Sequence, residues 1–318
     1  MNSSRAEERI REYVLETPLV MSGGLGTSGT RLLLKLENRQ DTGSFKLRGA
    51  TNKLLTLPRE QTSRGVVAAS SGNHALGVAT IGGKLGIPVE IFLSEQVHPK
   101  KRGRIEAIGA RVRVLPGDEL ASELAARDEA KASGRPNVSP YNDPDVIEGQ
   151  GTIAVEILRQ LAQHGAEKLD AVFVAVGGGG LISGIGSHLK QVSPETQVVG
   201  CWPGNSDVML RCMQAGEIRD FPYRQTWSTS TAGGVEPNAI TLELCRRVID
   251  RSVLVTEDEI LGAAQRMWRD EEQLIEGAAA VAIAAFMKTA ADYVGKTVAI
   301  VICGGNANPD FEGRIRPL

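Results

Sequence analysis

Three short segments carry residue types that could do chemistry together. In "DTGSFKLRGA" (Asp41–Ala50) one lysine, Lys46, follows an aromatic residue and a turn. Thr42, Gly43 and Ser44 read as a turn that starts a helix, with Lys46 in its first turn and pointing into a cleft. Such a lysine is either a solvated surface charge or a nucleophile. In "AVFVAVGGGGLISGIGSHLKQ" (Ala171–Gln191) a strand passes through Gly177, Gly178, Gly179 and Gly180 into a helix. Consecutive glycines cost backbone entropy, so something requires them. Backbone N–H groups converging at a helix N-terminus suit a phosphate; a tight turn with close helix packing is the other explanation. In "ASSGNHALGVA" (Ala69–Ala79) Ser70 and Ser71 are placed to cap a helix, and Gly72 frees the backbone. N–H groups exposed there suit a carboxylate. Asn73 offers an amide to a hydroxyl or phenolate. A capped helix explains the serines but not why Asn73 and His74 follow them.

The phosphate is not a nucleotide's by these signs. The strand after the glycine helix ends "VVGCWPGN", without the acid a dinucleotide site uses, and Leu181-Ile182 stand where a Walker loop has G-K-S/T. A small phosphorylated cofactor is left. A lysine amine forms Schiff bases with carbonyls, and pyridoxal phosphate carries both an aldehyde and a phosphate. Phe45 could pack the approach to its ring.

The 318-residue chain has a net charge of -2 and a pI near 6.2, which argues against nucleic acid or an anionic membrane as main partner. The run "HPKKRGR" (His98–Arg104) reads as a solvated helix face. Four cysteines, Cys201, Cys212, Cys245 and Cys303, have no C-x-x-C spacing, which suits reduced thiols in a cytoplasm. The four histidines, His74, His98, His164 and His188, show no H-x-x-x-H spacing, so no protein-built metal site is expected. The charged N-terminus does not read as a signal peptide. The longest apolar run, "GAAAVAIAAFM" (Gly277–Met287), is too short to span a bilayer and reads as a buried helix. The protein is expected to be soluble and cytoplasmic.

Elements that would position these segments alternate between strand and helix. Strands are predicted at Arg31–Glu37, Gly65–Ser70, Pro88–Leu93, Arg111–Leu115, Ala171–Val176, Gln197–Cys201, Ser252–Thr256 and Thr297–Cys303, with helices such as Asp145–His164 between them. This alternation means α/β architecture with parallel sheets covered on both faces. The turn-rich patch Ala132–Pro144 is the boundary candidate. The expected division is a large domain, 1–60 and 143–318, and a small one, 61–142, with the active site between them. Ligands bind such folds at the carboxyl ends of strands, where these motifs sit.

Together the motifs resemble the fold-type II pyridoxal-phosphate enzymes (tryptophan synthase β-like), in the threonine/serine dehydratase and serine racemase branch. The matching pieces are "ENRQDTGSFKLRGA", "SSGNHALGVA", "GQGTIAVEIL", "GGGGLISGI", "IEGAAAVA" and "CGGN", in the family's order from about Thr17 to Asn306. Leu47 stands where cysteine and threonine synthases resemble one another in having Asp, which points to the dehydratase side. The resemblance implies that Lys46 holds the cofactor as a Schiff base and then acts as acid/base at the substrate Cα. It implies that Asn73 bonds the ring oxygen, that Gly177–Gly180 with Leu181 wrap the phosphate, and that Ser70, Ser71, Gly72, Asn73 and His74 hold the substrate carboxylate. Ser71 matches the serine that acts on the opposite face in racemising members, Glu276 an acid near the ring, and Cys303 the Ser or Cys facing the pyridine nitrogen. By composition alone Cys303 is a small buried hydrophobe. Thr152 lies in the matched "GQGT" and is assigned no chemistry.

Departures cluster around the substrate. Trp202 and Val208 replace acids of a divalent-cation run, leaving Asp207, so no metal site is expected. Gly233 in "TAGGVEP" replaces an acid, Gly277 follows Ile275-Glu276 where proline is frequent, and Tyr141 falls at the expected pocket wall. The chain ends soon after "CGGN", which leaves no room expected for a C-terminal regulatory domain. The implied function is a β-eliminating ammonia-lyase for a β-hydroxy amino acid, as a homodimer. A racemase using Lys46 and Ser71, a dehydratase of a bulkier β-hydroxy amino acid (Tyr141, Trp202), and a catalytically silent binding module are the alternatives.

Overall fold

A computed structural model describes residues 2–26, 29–95, 97, 99–117 and 119–316. In chain order the strands are β1 (Leu19–Met21), β2 (Arg31–Lys35), β3 (Val66–Ala69), β4 (Val89–Ser94), β5 (Arg111–Leu115), β6 (Ala171–Ala175), β7 (Gln197–Pro203), β8 (Arg251–Val255) and β9 (Thr297–Val301). The helices of the first half are α1 (Ser3–Ile10), α2 (Lys46–Thr56), α3 (Arg59–Thr62), α4 (Asn73–Leu85), α5 (Pro99–Ala107), α6 (Glu119–Ser133) and α7 (Pro144–Gln160). The second half adds α8 (Gly180–Val192), α9 (Val208–Ala215), α10 (Thr241–Val248), α11 (Glu257–Glu271), α12 (Gly277–Thr289) and α13 (Pro309–Ile315). Of the basic run, His98 and the side chains of Lys100 and Lys101 lie outside the described residues; Arg102 and Arg104 are exposed on α5.

Among the described residues the strands form two sheets, one ordered β1-β2-β9-β6-β7-β8 and one β3-β4-β5. All pairs are parallel except β1–β2. Each of the eight strands expected from sequence is present. β1 was not foreseen, because Leu19–Met21 is too short to show a period. Every residue of β6 and β9 is buried, so both faces of the larger sheet are covered. The alanine-rich α12 lies on β6 to β9, where small side chains let it approach closely.

The smaller sheet has its own core, and α2 contributes to it: Leu47, Ala50 and Leu54 pack with Val66, Ala68, Ile91 and Val78. On another side α2 crosses α7 at bare glycines. A Cβ on Gly149 would lie 2.7 Å from Gly49 Cα, and one on Gly184 of α8 would lie 2.6 Å from Gly151 N. The "GQGT" segment is therefore a helix-crossing motif that brings α2 and α8 onto α7.

Beneath this crossing lies a buried ion network. Arg48 donates to Glu37 at 2.8 and 2.9 Å, to Glu156 at 2.6 and 2.8 Å, and to Thr152 Oγ1 at 3.1 Å. Lys35 Nζ reaches Glu156 at 2.6 Å and Gln160 at 3.0 Å. Burial opposes charge on Arg48, yet Glu37 and Glu156 outweigh it and hold the guanidinium protonated. Two cations facing two carboxylates leave little uncompensated charge, which is what burial of such groups demands.

Candidate active site

Lys46 is the first residue of α2. The preceding residues pair with the segment after β9: Phe45 N donates to Cys303 O at 3.1 Å, Gly305 N to Gly43 O at 2.9 Å, and Asn306 Nδ2 to Thr42 O at 2.9 Å. Gly43 has φ +73°, a left-handed turn that favours glycine. Gly77 of α4 lets the helices meet, since a Cβ there would lie 3.1 Å from Lys46 C. The half-buried Lys46 amine donates to Pro140 O at 2.9 Å and sits 5.3 Å from the Phe45 ring centroid. Lys46 thus lies where the carboxyl end of β9, α4 and the 138–142 turn converge.

Asn73, the first residue of α4, donates from Nδ2 to Glu276 Oε1 and Oε2 at 3.0 and 2.8 Å, and accepts from Asn306 Nδ2 at 2.7 Å. Ser230 Oγ also donates to Glu276, at 3.1 Å. Cys303 is buried. Burial first, and Glu276 next, push its thiol well above the usual range, so it stays protonated and neutral. His74 is brought down to about 3 by burial and then by the Lys46 charge. Its Nε2 carries the proton that it donates to Val138 O at 2.7 Å, while the buried Nδ1 has no hydrogen-bond partner. The His74 side chain therefore anchors α4 to the 138–142 turn through Nε2.

The N-cap position of α4 is held by a glycine rather than by either serine. Gly72 is the N-cap, without a side-chain cap bond, and Ser70 Oγ accepts from Gly72 N at 3.1 Å to close the turn instead. The chain leaves β3 at Ala69, and Ser70 and Ser71 fall two residues and one residue before the N-cap position. A Cβ on Gly72 would meet nothing within 4 Å, so that face of the α4 N-terminus is open.

Gly177–Gly180 join β6 to α8, with Gly179 at φ +86°. Each is hemmed in. A Cβ on Gly177 would lie 2.9 Å from Thr231 Cα, on Gly178 2.5 Å from the Tyr141 ring, on Gly179 2.6 Å from Cys245 Sγ, and on Gly180 2.9 Å from Tyr141 Cα. Close packing thus accounts for the glycines without a ligand, and both explanations raised by the sequence stand. The amides of Gly180, Leu181 and Ile182 open α8 without intrahelical acceptors, which leaves the loop an anion-binding terminus. Leu181 itself is buried in the main core. Trp202 is also a core residue, wholly buried, and Asp207 is held by Arg211 at 2.6 Å.

An amine, a bare-glycine helix start and an un-ionised thiol near both that amine and a carboxylate make a donor set that fits pyridoxal phosphate. A family model described as "Pyridoxal-phosphate dependent enzyme" matches residues 10–304. The chain belongs to this family. It is a fold-type II pyridoxal-phosphate enzyme, and the cofactor is pyridoxal phosphate. It is 39% identical over 313 residues to an L-threonine ammonia-lyase of Thermotoga maritima, covering 98% of this chain and 76% of that protein. Its fold matches the processed form of threonine deaminase isoform 2 from Solanum lycopersicum with a TM-score of 0.89 and 29% identity, over 99% of this chain and 93% of that one. It matches a serine racemase of Dictyostelium discoideum with a TM-score of 0.87 and 31% identity, over 96% of this chain and 97% of that one. Among the described residues no helix of this pyridoxal-phosphate enzyme is long and apolar enough to cross a membrane.

Asn306, Ser230, Gly77 and the Pro140 carbonyl were not singled out by sequence. Asn306 lies inside the "CGGN" motif, so its signal was present. The carbonyl had none, because any residue supplies one.

Proposed function

We propose that this enzyme is a threonine/serine ammonia-lyase, converting a β-hydroxy amino acid to a 2-oxo acid and ammonia by β-elimination. The observation that carries the reading is the Phe45 N–H to Cys303 carbonyl bond at 3.1 Å, which ties the start of the Lys46 helix to the strand end that bears a neutral thiol. The relatives named above support it, and the racemase likeness makes racemisation the second reading.

Lys46 would hold the cofactor, the amides of Gly177–Gly180 and Leu181 its phosphate, and Asn73, Glu276 and Phe45 the surroundings of its ring. When bound, pyridoxal phosphate supplies an electron-accepting ring that acidifies the Cα–H of an attached amino acid. Lys46 Nζ takes that proton. Cys303 would face the ring nitrogen as an uncharged thiol, which cannot keep that nitrogen protonated as a carboxylate in its place would. Backbone amides from Ser70 to His74 would orient the substrate carboxylate. The β-hydroxyl takes up a proton equivalent to the one lost from Cα and departs as water, and one water then hydrolyses the released enamino acid to 2-oxo acid and ammonia. Residues 61–142 would form the smaller domain, and a cytoplasmic homodimer is the proposed assembly.

The test is a panel of L- and D-β-hydroxy amino acids scored for ammonia, 2-oxo acid and remaining enantiomer. Release of ammonia and 2-oxo acid from L-threonine or L-serine supports the lyase. Interconversion of enantiomers with little ammonia overturns it in favour of the racemase.

A further inference from the structure

The carbonyl that receives the Lys46 amine belongs to Pro140, and both residues flanking Pro140 bond to Glu236, one through its carboxylate and one through its backbone N–H. Ser139 Oγ donates to Glu236 Oε1 at 3.5 Å, and Glu236 N donates to the Tyr141 hydroxyl at 2.9 Å. Glu236 is 3% exposed, on the loop between α9 and α10, and its carboxylate forms an ion pair with Arg127 of α6. α6 packs on β3 and β4 of the smaller sheet, so the pair joins the two sheets' sides next to the active-site lysine. A second acid, Glu123 of α6, is engaged with the Tyr141 hydroxyl.

A guanidinium beside an amino-acid site is a ready receptor for a second carboxylate, because its planar donors match it bidentately. Here Glu236 occupies that role from within the chain. We propose that Glu236 is a specificity-determining residue: by holding Arg127 it closes the site to β-hydroxy amino acids with an acidic side chain and leaves it to uncharged ones. The proposal rests on the lyase reading for its substrate class, but the pair itself makes a prediction about binding alone.

Two readouts separate the two. The first is kcat/KM for L-threonine and for L-threo-β-hydroxyaspartate, in wild type, Glu236→Ala, the isosteric Glu236→Gln, and Glu236→Ala combined with Arg127→Met. The second is calorimetric binding of L-aspartate against L-alanine, which lack a leaving hydroxyl and so report side-chain charge without elimination. Both ratios are expected to shift toward the acidic ligand by about tenfold or more in Glu236→Ala, in the same direction in Glu236→Gln, and to return in the double variant. An unchanged aspartate-to-alanine ratio in both single variants, or a shift that survives loss of Arg127, overturns the proposal. Absence of ammonia from wild type with either L-threonine or L-serine overturns the lyase reading instead, and the binding ratio still decides this one.

Discussion

The Asn73 side chain donates to both carboxylate oxygens of Glu276, at 3.0 and 2.8 Å, tying the start of α4 to the N-cap of α12. Helix α4 belongs to the smaller sheet's core and α12 to the larger sheet's. Asn73→Asp would set a second carboxylate against the first in a buried place, where like charges repel strongly. The cofactor dissociation constant, read by absorbance titration, is expected to rise about tenfold or more. An unaltered constant would mean that this link does not organise the cofactor site.

Arg48 lies two residues beyond Lys46, and its network fixes α2 from below. Arg48→Met leaves Glu37 and Glu156 facing each other with Lys35 as the remaining cation. Breaking a buried pair from one side costs about 3–5 kcal/mol. Urea unfolding of the cofactor-loaded protein is expected to show a loss of that order. A loss within about 0.5 kcal/mol would place the network among neutral surface changes instead.

His74 makes stability depend on pH. Its folded-state value of about 3 lies below the ordinary 6.5, so the unfolded chain binds a proton there that the folded chain does not. The contribution is complete above pH 6.5 and is lost as pH falls from there toward 3, at up to about 1.4 kcal/mol per unit. His74→Gln keeps a donor for Val138 O but has nothing to titrate. Between pH 7 and 5 the wild type is expected to lose about 2 kcal/mol relative to this variant. Parallel stability curves for the two would show that the imidazole titrates normally.

Much of this arrangement was legible beforehand because it is local. A run such as Val298–Val301 announces a buried strand, and glycines after β6 announce a strand-to-helix junction. What escaped depends on partners far apart in sequence. The meaning of Gly149 and Gly151 lies in Gly49 and Gly184, that of Glu236 in Arg127, and that of His74 in the Val138 carbonyl. The N-cap of α4 fell to Gly72 rather than to a serine, and Ser70 accepts from Gly72 N within the turn. Trp202 read as a change at the substrate because the motif around it aligned there, yet its side chain is core.

Ser71 separates elimination from racemisation. Racemisation needs a proton donor on the face opposite Lys46, whereas elimination from one enantiomer needs Lys46 and an exit for the hydroxyl. The N-cap of α4 is Gly72, so Ser71→Ala removes a hydroxyl and leaves the N-cap residue unchanged. L-elimination is expected to persist at a substantial fraction of wild type, while turnover of D-substrate and any racemisation disappear. Chiral chromatography of residual serine, run beside an ammonia assay, distinguishes these. Equal loss of both activities would give Ser71 a role in elimination as well.

The central claim, that Lys46 makes this pyridoxal-phosphate enzyme an ammonia-lyase, meets its most direct test with L-threonine. Wild type and Lys46→Ala, each saturated with pyridoxal phosphate, are compared for ammonia, 2-oxo acid and the visible absorbance of the protein-held cofactor. The account predicts ammonia and 2-oxo acid in equal amounts from wild type, with both products and the bound-cofactor absorbance abolished together in the variant, because the cofactor aldehyde needs this amine. Turnover by Lys46→Ala at the wild-type rate would contradict it.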